Sequence, residues 1–420
     1  MKPPAATEEF STQPDLLAWL GTQISRHGDI FEARIYGTPA YVVNRPADVE
    51  RVLLKNWTNY PKGQAIKRIG LLLGNGLMVS KGELWRCQRR MIQPAFSRGI
   101  LNDFIPLIVE ENTRLVDRWI LAANAGDRVN VTRDVSQLSL DIVLKGVFGV
   151  DYAAVAPRFQ LITEEAARNF EFATAFAALG DAILEVATRR RQESSEYPDF
   201  LGLFMRARDR DSGAPMSDAQ LVKEIKTLVI AGHETTASTL NWTWYLVSQH
   251  PAAEGRMRAE ISERLPDIPS LNADALPAFS YVRNVIDEAL RMYPAGWLLT
   301  RRAIAEDQLG EYTVPAGTEI YIAPYFIQRS PRLWEAPETF NPDRFQDAEE
   351  SARRSLSFLP FSIGPRNCIG EYLARLEMQI HVILVASRLK LRYREESNPP
   401  MAAGVNLLSA RDFLMHPERY

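Results

Sequence analysis

Hydrophobic and polar residues alternate in two short runs near the start of the chain, residues 29–36 and 40–44, on either side of Gly37-Thr38-Pro39. Alternation that flanks a turn containing glycine and proline predicts a β-hairpin. A helix is predicted from Pro46 through Leu54, because proline is favoured in the first turn of a helix. Residues 61–80 are apolar but interrupted by glycines, which predicts a loop that either lines a cavity or is simply buried.

The longest helical pattern runs from about Ser217 to Gln249, and its middle is apolar on nearly every side, as expected of a helix that crosses the interior. Toward the end of the chain, Leu309–Ile322 predicts a second hairpin that turns at Pro315–Gly317. A last pair of strands is predicted over Leu389–Arg394 and Val405–Phe413. Because the predicted strands lie near the two ends and helices fill the middle, the pattern predicts a mostly α (α+β) fold.

The composition describes a globular protein and excludes several other classes. The 420 residues are 46% hydrophobic and 24% charged, and the formal net charge of −3 gives no reason to expect a nucleic-acid partner. Two cysteines exclude a disulfide framework and indicate a reducing compartment. The polar N-terminus has no signal-peptide core, and no apolar run reaches the ~20 residues that span a bilayer. We therefore predict a cytoplasmic monomer without a membrane span, a single domain over residues 1–420, and a mobile start at residues 1–14.

One of the two cysteines, Cys368, lies in a loop-like stretch, Phe361–Gly370. Gly364 and Gly370 flank it and would let a flat cofactor approach the backbone closely. The helical pattern that begins at Glu371 places the cysteine near a helix N-terminus, which favours the thiolate. A lone cysteine is usually a small buried hydrophobic residue. The spacing of the surrounding residues decides against that alternative, and we interpret Cys368 as the axial ligand of a haem iron.

The spacing in question is Phe-x-x-Gly-x-Arg-x-Cys-x-Gly, formed by Phe361, Gly364, Arg366, Cys368 and Gly370. It resembles the haem-binding signature of the cytochrome P450 family. The resemblance implies a cytochrome P450 fold, which is a helix-rich body with small β-sheets. It also implies haem b (iron protoporphyrin IX) between the long central helix and the cysteine loop and helix. In that arrangement Cys368 binds the iron, while Phe361, Arg366 and Gly370 contact the cofactor.

Two further stretches resemble parts of the family that bind the cofactor. Residues 83–96 predict a helix with Trp85 and Arg89 on one face. A basic helix is usually a solvated face. In the family, however, this Trp-x-x-x-Arg pattern donates hydrogen bonds to the haem propionates, so the resemblance implies that role for both residues. It likewise implies that Arg301, in the extended segment after Pro294, faces a propionate.

The long central helix carries Ala231-Gly232-His233-Glu234-Thr235-Thr236. An acid and threonines inside a buried helix are costly unless they form hydrogen bonds. One interpretation is that Thr235 donates to the carbonyl group four residues earlier and merely bends the helix. The segment resembles the family's Ala/Gly-Gly-x-Asp/Glu-Thr motif. That resemblance implies that Ala231 and Thr235 border a groove for O2, with Glu234 as the proton source. His233 occupies the variable position and is given no role.

Glu288 and Arg291 are neighbours on a predicted helix, at positions i and i+3. From the sequence alone, such a pair belongs on the surface and contributes little to stability. The pair resembles the family's buried Glu-x-x-Arg, which an arginine in a later loop completes. Arg344, within Phe340–Phe345, fits that position. The resemblance therefore implies a structural ion-pair triad.

Together these motifs occur in the family's order and imply a haem-thiolate monooxygenase. Such an enzyme activates O2 to hydroxylate or epoxidise a small hydrophobic substrate, such as a terpenoid, a fatty acid or a polyketide-like molecule. The predicted pocket residues are Met78, Trp297 and Leu298, although a buried strand would give the same pattern at the last two.

Electrons are expected from a separate ferredoxin or flavodoxin with its reductase, because roughly 50 residues after Gly370 are too few for a reductase domain. We expect an acidic partner to dock near Arg86, Arg90 and Arg98. A peroxide-driven peroxygenase or a desaturase on the same haem is an alternative, although Glu234 and Thr235 favour O2 activation. A non-catalytic haem gas sensor is a further alternative, but a sensor normally needs an output domain and none is visible.

Overall fold

The computed structural model describes residues 1–6, 8–11, 15–158, 170–193, 195–346 and 356–420. The chain groups into two compact units. The first, here called the cysteine unit, consists of Met1–Lys67, Arg283–Cys368 and Asn398–Arg411. The second, the helical unit, consists of Arg68–Val282, Ile369–Ser397 and Asp412–Tyr420. Because each unit combines three segments that are distant in sequence, no single linker separates them.

Helices form most of the regular structure, so the prediction of a mostly α fold is confirmed. In chain order the helices are α1 (Leu16–His27), α2 (Pro46–Glu50), α3 (Ile66–Leu73), α4 (Gly82–Ile92), α5 (Arg98–Asn102), α6 (Ile105–Ala125), α7 (Val131–Phe148), α8 (Tyr152–Val155), α9 (Phe170–Gln192), α10 (Phe200–Arg206), α11 (Asp218–Gln249), α12 (Pro251–Arg264), α13 (Ser280–Met292), α14 (Pro324–Ile327) and α15 (Glu371–Arg388). Within the described ranges, no helix combines the length and the hydrophobicity that a bilayer-spanning segment needs.

The strands are short and form four small sheets in the described part of the chain. They are β1 (Ile30–Ile35), β2 (Thr38–Val43), β3 (Val129–Asn130), β4 (Leu299–Arg302), β5 (Asp307–Leu309), β6 (Tyr312–Val314), β7 (Glu319–Ile322), β8 (Leu389–Arg392), β9 (Met401–Ala403), β10 (Leu407–Ser409) and β11 (Leu414–Arg419). The cysteine unit has a sheet in the order β1-β2-β7-β4. Its β1–β2 hairpin, with Ile30 opposite Val43, confirms the first predicted hairpin.

The second predicted hairpin is wrong, because β6 and β7 are not partners. Instead, β5 and β6 pair across a two-residue loop at Gly310 and Glu311, where Gly310 adopts a φ of +57°. The strand β7 joins β2 in parallel and β4 in antiparallel orientation. Pro315 has no amide hydrogen with which to continue a ladder, and the turn that follows it leads the chain into the other sheet.

The last predicted strand pair is also wrong. The strand β8 pairs with β11, whereas β10 pairs with β9. The strand β11 contains Pro417, although proline is usually confined to the edges of sheets. In the structure β3 pairs only with Leu414 and Met415. Pro417 therefore has a neighbouring strand on one side only, where Leu391 of β8 lies opposite it.

Residues 61–80 are only partly a loop, because α3 occupies Ile66–Leu73. Apolar residues at 66, 69 and 73 follow a helical spacing, and Gly70 does not interrupt the helix. Residues 74–80 then form a series of turns, in which the amides of Val79 and Ser80 both donate to the carbonyl of Gly76, at 2.9 and 3.0 Å.

The start of the chain, predicted to be mobile, includes Thr7 and residues 12–14, which lie outside the described residues. Ala5 and Phe10 form bridges with Glu32 and Ile35 of β1. Phe10 is also buried in a hydrophobic core with residues of α1 and β1. These contacts attach the described part of the N-terminus to the sheet of the cysteine unit.

The long helix predicted from Ser217 to Gln249 is confirmed by α11. Ser217 caps it, because its side chain accepts a hydrogen bond from the amide of Gln220 at 3.2 Å. The residues from Thr236 to Val247 are all buried, and α7 packs along the helix. The helix therefore forms the core of the helical unit.

Candidate functional site

Cys368 lies in a loop that only glycine at position 364 permits. Gly364 has a φ of +77°, and a Cβ atom there would lie 2.1 Å from the carbonyl oxygen of Leu53. The amide of Asn367 donates to the carbonyl of Gly364 at 3.0 Å, and the amide of Cys368 donates to the carbonyl of Phe361 at 2.9 Å. The side chain of Cys368 is exposed. The loop thus presents the thiol on a backbone that its own hydrogen bonds hold in place.

The helix predicted after the cysteine is α15, which begins at Glu371 with Gly370 at its N-cap position. The sequence distance between Cys368 and this helix is therefore as predicted. Phe361 and Arg366 are both half-buried in the same loop. All the residues of the predicted signature accordingly lie in, or directly after, one short loop.

Lys62 is a cation that the sequence did not single out, and it lies next to Arg301. The two residues form an antiparallel bridge. Backbone hydrogen bonds flank it, from Arg302 to Pro61 at 3.0 Å and from Gly63 to the strand β4 at 3.3 Å. Directly opposed residues of an antiparallel pair project from the same face. Lys62 and Arg301 therefore share one face of the sheet.

Arg366 brings a third positive charge to this group. The pKa of Lys62 falls to about 7, because burial disfavours the ammonium ion and because Arg301 and Arg366 repel it, while Cys368 acts in the opposite direction. The pKa of Arg301 falls to about 10, first through burial and then through Arg366. These mutual effects show that the three cations and the thiol are near one another.

A carboxylate lies near this cation group in the sheet, but on the other face. Glu319 is opposite Arg302 in the β4–β7 pair and lies 3.6 Å from its guanidinium group. Its Oε2 atom also accepts a hydrogen bond from the amide of Gln64 at 2.9 Å. Among the described residues, no carboxylate contributes to the pKa shifts of Lys62 or Arg301. The cation group therefore has the character of a site for an anionic ligand.

The helix α4 carries Trp85 and Arg89 in the helical unit. Trp85 is buried and Arg89 is half-buried, so both lie on the inner side of the helix. The Nε atom of Arg89 donates to the side chain of Gln93 at 3.2 Å. The predicted helical spacing of the two residues is therefore present.

The neighbouring arginines, in contrast, form ion pairs on the surface. Arg86 pairs with Glu83, and Arg90 lies 2.6 Å from Asp211. Nearby acidic groups thus pair with two of the three arginines of the predicted docking surface, while the guanidinium group of Arg98 lies over the ring of Tyr372.

The Ala231–Thr236 segment of α11 is less buried than the sequence suggested. Ala231 and Glu234 are exposed and Thr235 is half-buried, whereas the helix beyond them is buried. The hydroxyl of Thr235 donates to the carbonyl of Ala231 at 2.7 Å. Thr239 makes the same kind of bond to the carbonyl of Thr235, at 2.9 Å. The bond from Thr235 to Ala231 is the contact that the interpretation of a simple bend requires, and it also belongs to the interpretation of a groove.

His233, to which the sequence assigned no role, attaches this segment to α7. Its Nε2 atom lies 2.8 Å from the hydroxyl of Ser136, and burial lowers the pKa of His233 to about 4. The imidazole is therefore neutral near pH 7. No local pattern signals this contact, because the two residues belong to different helices.

A second contact between α7 and α11 involves the carbonyl of Gly232, which accepts a hydrogen bond from Ser139 at 3.4 Å. The hydroxyl of Ser139 also lies 3.5 Å from Glu377 on α15. Burial raises the pKa of Glu377 to about 8, so this carboxyl group is mostly protonated at neutral pH. It is a buried acid that sequence reasoning missed.

Glu288, Arg291 and Arg344 come together in the cysteine unit. Arg291 donates to Glu288 at 2.7 and 2.9 Å, and Arg344 donates to the same carboxylate at 3.0 Å. The side chains of Glu288 and Arg291 are 0% exposed and that of Arg344 is 5% exposed. The surface-pair alternative is therefore wrong, and the predicted buried triad is present.

The predicted pocket residues have different surroundings. Trp297 is buried in the same hydrophobic core as Phe10, and its indole nitrogen donates to the carbonyl of Gly404 at 3.0 Å. Leu298 packs against that core. Both residues thus have the surroundings expected of a buried segment. Met78 is half-buried in the turns of the helical unit.

Comparisons with known proteins support the sequence resemblance. The model of the family described as cytochrome P450 matches residues 23–179 and 152–420. A cyclooctat-9-en-7-ol 5-monooxygenase from Streptomyces melanosporofaciens is 33% identical over 389 residues, covering 87% of this chain and 83% of the relative. A pentalenene oxygenase from Streptomyces avermitilis is 29% identical over 397 residues, covering 90% and 87%. The solved structure of a cyanobacterial CYP120A1 with retinoic acid bound has the same fold, with a TM-score of 0.88, 21% identity, and coverage of 100% and 99%.

Proposed function

Because the chain belongs to the cytochrome P450 family and is a cytochrome P450 monooxygenase, we propose that it hydroxylates or epoxidises a small hydrophobic substrate with O2. The observation that carries the proposal is the loop of Cys368 together with the cations beside it. An exposed thiol on a fixed loop suits a haem-iron ligand, and the cations suit the acidic groups of haem.

The proposed cofactor is haem b, and the donor set of the cysteine unit fits it. Haem carries two propionate carboxylates, which need cationic partners. Lys62, Arg301 and Arg366 form a group of cations, and no described carboxylate contributes to the pKa shifts of Lys62 or Arg301. We infer that these side chains hold the propionates, with Cys368 as the iron ligand. Trp85 and Arg89 are proposed as further propionate donors by family resemblance. When bound, the haem supplies the chemistry that activates O2.

The proton-handling residues proposed for the reaction are Glu234 and Thr235. Glu234 is exposed and can exchange protons with water at its carboxylate oxygens. The hydroxyl of Thr235 donates to the carbonyl of Ala231, so its oxygen keeps free lone pairs that can accept a hydrogen bond. In this role Glu234 supplies the proton and Thr235 orients the group that receives it.

The proposed substrate is hydrophobic, and a terpenoid is the class we favour among terpenoids, fatty acids and polyketide-like molecules. Support comes from the two Streptomyces relatives, which are named for oxidising cyclooctat-9-en-7-ol and pentalenene. Met78 and Leu298 are proposed to contact the substrate. We propose Trp297 as a support beneath that contact, because it is part of the core.

Electrons are proposed to come from a ferredoxin or flavodoxin with its reductase, acting on a cytoplasmic, monomeric enzyme. The arginines proposed for docking are Arg86, Arg90 and Arg98. Because Arg86 and Arg90 already pair with carboxylates, we expect the attraction to an acidic partner to be modest. The intact pair of Glu234 and Thr235 supports O2 rather than peroxide as the oxidant.

The experiment that tests the proposal is the absorption spectrum of the reduced protein with carbon monoxide. Thiolate ligation gives a strongly red-shifted band, which the wild-type protein should show. Cys368→Ser should lose that band, while the control variant Cys87→Ser should keep it. A Cys368→Ser variant that retained the band would contradict the assignment of the ligand.

A further inference from the structure

Residues 74–80, here called the bridging loop, are attached to two helices of the helical unit. On one side, the side-chain amide of Gln88 on α4 donates to the carbonyl of Asn75 at 2.8 Å. The same side chain accepts a hydrogen bond from Ser80. On the other side, the carboxylate of Glu224 on α11 accepts a hydrogen bond from the amide of Leu77 at 2.8 Å. Glu224 is therefore the side chain that attaches the middle of the loop to the long helix.

The backbone of the bridging loop also touches α11 directly. A Cβ atom at Gly76 would lie 2.1 Å from the hydroxyl oxygen of Thr227 and 2.9 Å from the carbonyl oxygen of Lys223. Any side chain larger than hydrogen would therefore push the loop away from the helix. This close approach and the Glu224 hydrogen bond are separate observations of one closed arrangement.

Glu224 is a buried acid with few partners. It is 2% exposed, and its carboxylate accepts hydrogen bonds from Leu77 and from the side chain of Gln220. Burial raises the pKa of Glu224 to about 7, although the hydrogen bonds and the charge of Lys223 oppose the increase. Near neutral pH, this group therefore changes between the acid and the carboxylate.

The charges that surround Glu224 are few. Its own helix provides Lys223, the charged group named above, and Lys226. Burial lowers the pKa of Lys226, while Asp181 on α9 acts in the opposite direction. The bridging loop has no titratable side chain, and its contact on α4 is the neutral Gln88. Among the described residues, ionisation in this contact is thus concentrated on Glu224.

We propose that Glu224 is a positioning residue that latches the bridging loop onto α11, and that its ionisation lets the loop open. The inference rests on the proposed function in one respect, because the loop carries Met78, a proposed substrate contact. Opening of the loop would change the lining of the substrate site and the access of hydrophobic molecules to it. The latch thereby links pH to substrate entry.

The direction of the pH dependence follows from linkage. In the closed loop the pKa of Glu224 is about 7, and in the open, hydrated loop it returns toward its ordinary value of 4.5. The open state releases the proton more readily than the closed state. The fraction of open loop therefore increases as the pH rises above 4.5, and it levels off above pH 7. Between pH 5.5 and 8.5 these two pKa values give an increase of about 30-fold in the opening equilibrium.

Hydrogen exchange measured by mass spectrometry on the full-length haem-loaded protein tests this inference. After correction for the intrinsic exchange rate, peptides that cover residues 74–80 should exchange roughly 30-fold faster at pH 8.5 than at pH 5.5. Glu224→Gln keeps a hydrogen-bond acceptor but cannot ionise, so its corrected exchange should not change with pH. The control Glu263→Gln changes an exposed side chain of α12, and its corrected exchange should show the same pH dependence as the wild type.

A second variant covers the case in which the glutamine variant does not fold. Gly76→Ala should hold the loop off the helix, giving fast exchange at every pH and a weaker pH dependence. Wild-type exchange in residues 74–80 that is independent of pH, or an unchanged pH dependence in Glu224→Gln, would overturn the latch.

Substrate access is measured with n-butyl isocyanide, an apolar haem ligand that does not titrate in this range. Its association rate with the reduced protein should rise with pH in the wild type and stay constant in Glu224→Gln. Equal pH profiles in both proteins would overturn the link to access. The exchange measurement needs no turnover, and the carbon monoxide spectrum tests thiolate ligation separately. A failed latch can therefore be distinguished from a failed assignment of function.

Discussion

The buried triad of Glu288, Arg291 and Arg344 gives the sharpest stability prediction. Glu288 receives two hydrogen bonds from Arg291 and one from Arg344, and it also accepts from the amide of Asn341 at 2.9 Å. Arg291 in turn donates to the carbonyl of Gln328 at 2.7 Å. Replacing one member therefore leaves buried charges and polar groups without their partners.

The expected magnitude depends on which charge remains. Removing one partner of a buried ion pair costs roughly 3–5 kcal/mol of unfolding free energy. Arg291→Met leaves Glu288 paired with Arg344, so we expect a loss near the lower end, about 3 kcal/mol. Glu288→Leu leaves two buried arginines together without their carboxylate, so we expect about 5 kcal/mol. Replacing all three residues with apolar ones should recover part of this loss, since no buried charge remains.

The assay is urea denaturation followed by far-ultraviolet circular dichroism, with Arg86→Met as the matched control. Arg86 and Glu83 have the same i, i+3 spacing as the buried pair, but their side chains are 45% and 80% exposed. The control should therefore lose no more than about 1 kcal/mol. If Arg291→Met lost as little as the control, the argument from burial would be refuted.

Three further predictions concern the proposed cofactor and oxygen chemistry. Thr235→Ala should reduce the amount of product formed per electron consumed, measured as the ratio of product to oxidised electron donor. The control Thr239→Ala should keep the wild-type ratio, and equal ratios in the two variants would contradict the proton role. Gly364→Ala should lower haem content by far more than Gly296→Ala, because only the first new Cβ would meet a backbone oxygen within 4 Å; full haem incorporation would show that the loop can adjust. Lys62→Met should release haem to apomyoglobin faster than Lys62→Arg, and identical release rates would argue against a propionate contact.

The sequence by itself determined the elements whose signals are local. The hairpin β1–β2, the helix α4 with Trp85 and Arg89, and the long helix α11 all lie where the pattern of hydrophobic and polar residues placed them. The spacing around Cys368 was sufficient to indicate the family. These features depend on residues a few positions apart, and such spacings can be read directly from the sequence.

Only the tertiary structure decided which distant segments are partners. It pairs β7 with β2 and β4, joins β8 to β11, and buries Trp297 in a core. Lys62 becomes a neighbour of Arg301 only through a bridge between segments far apart in sequence. Partner choice and burial depend on the packing of the whole unit, and no local periodicity encodes that packing.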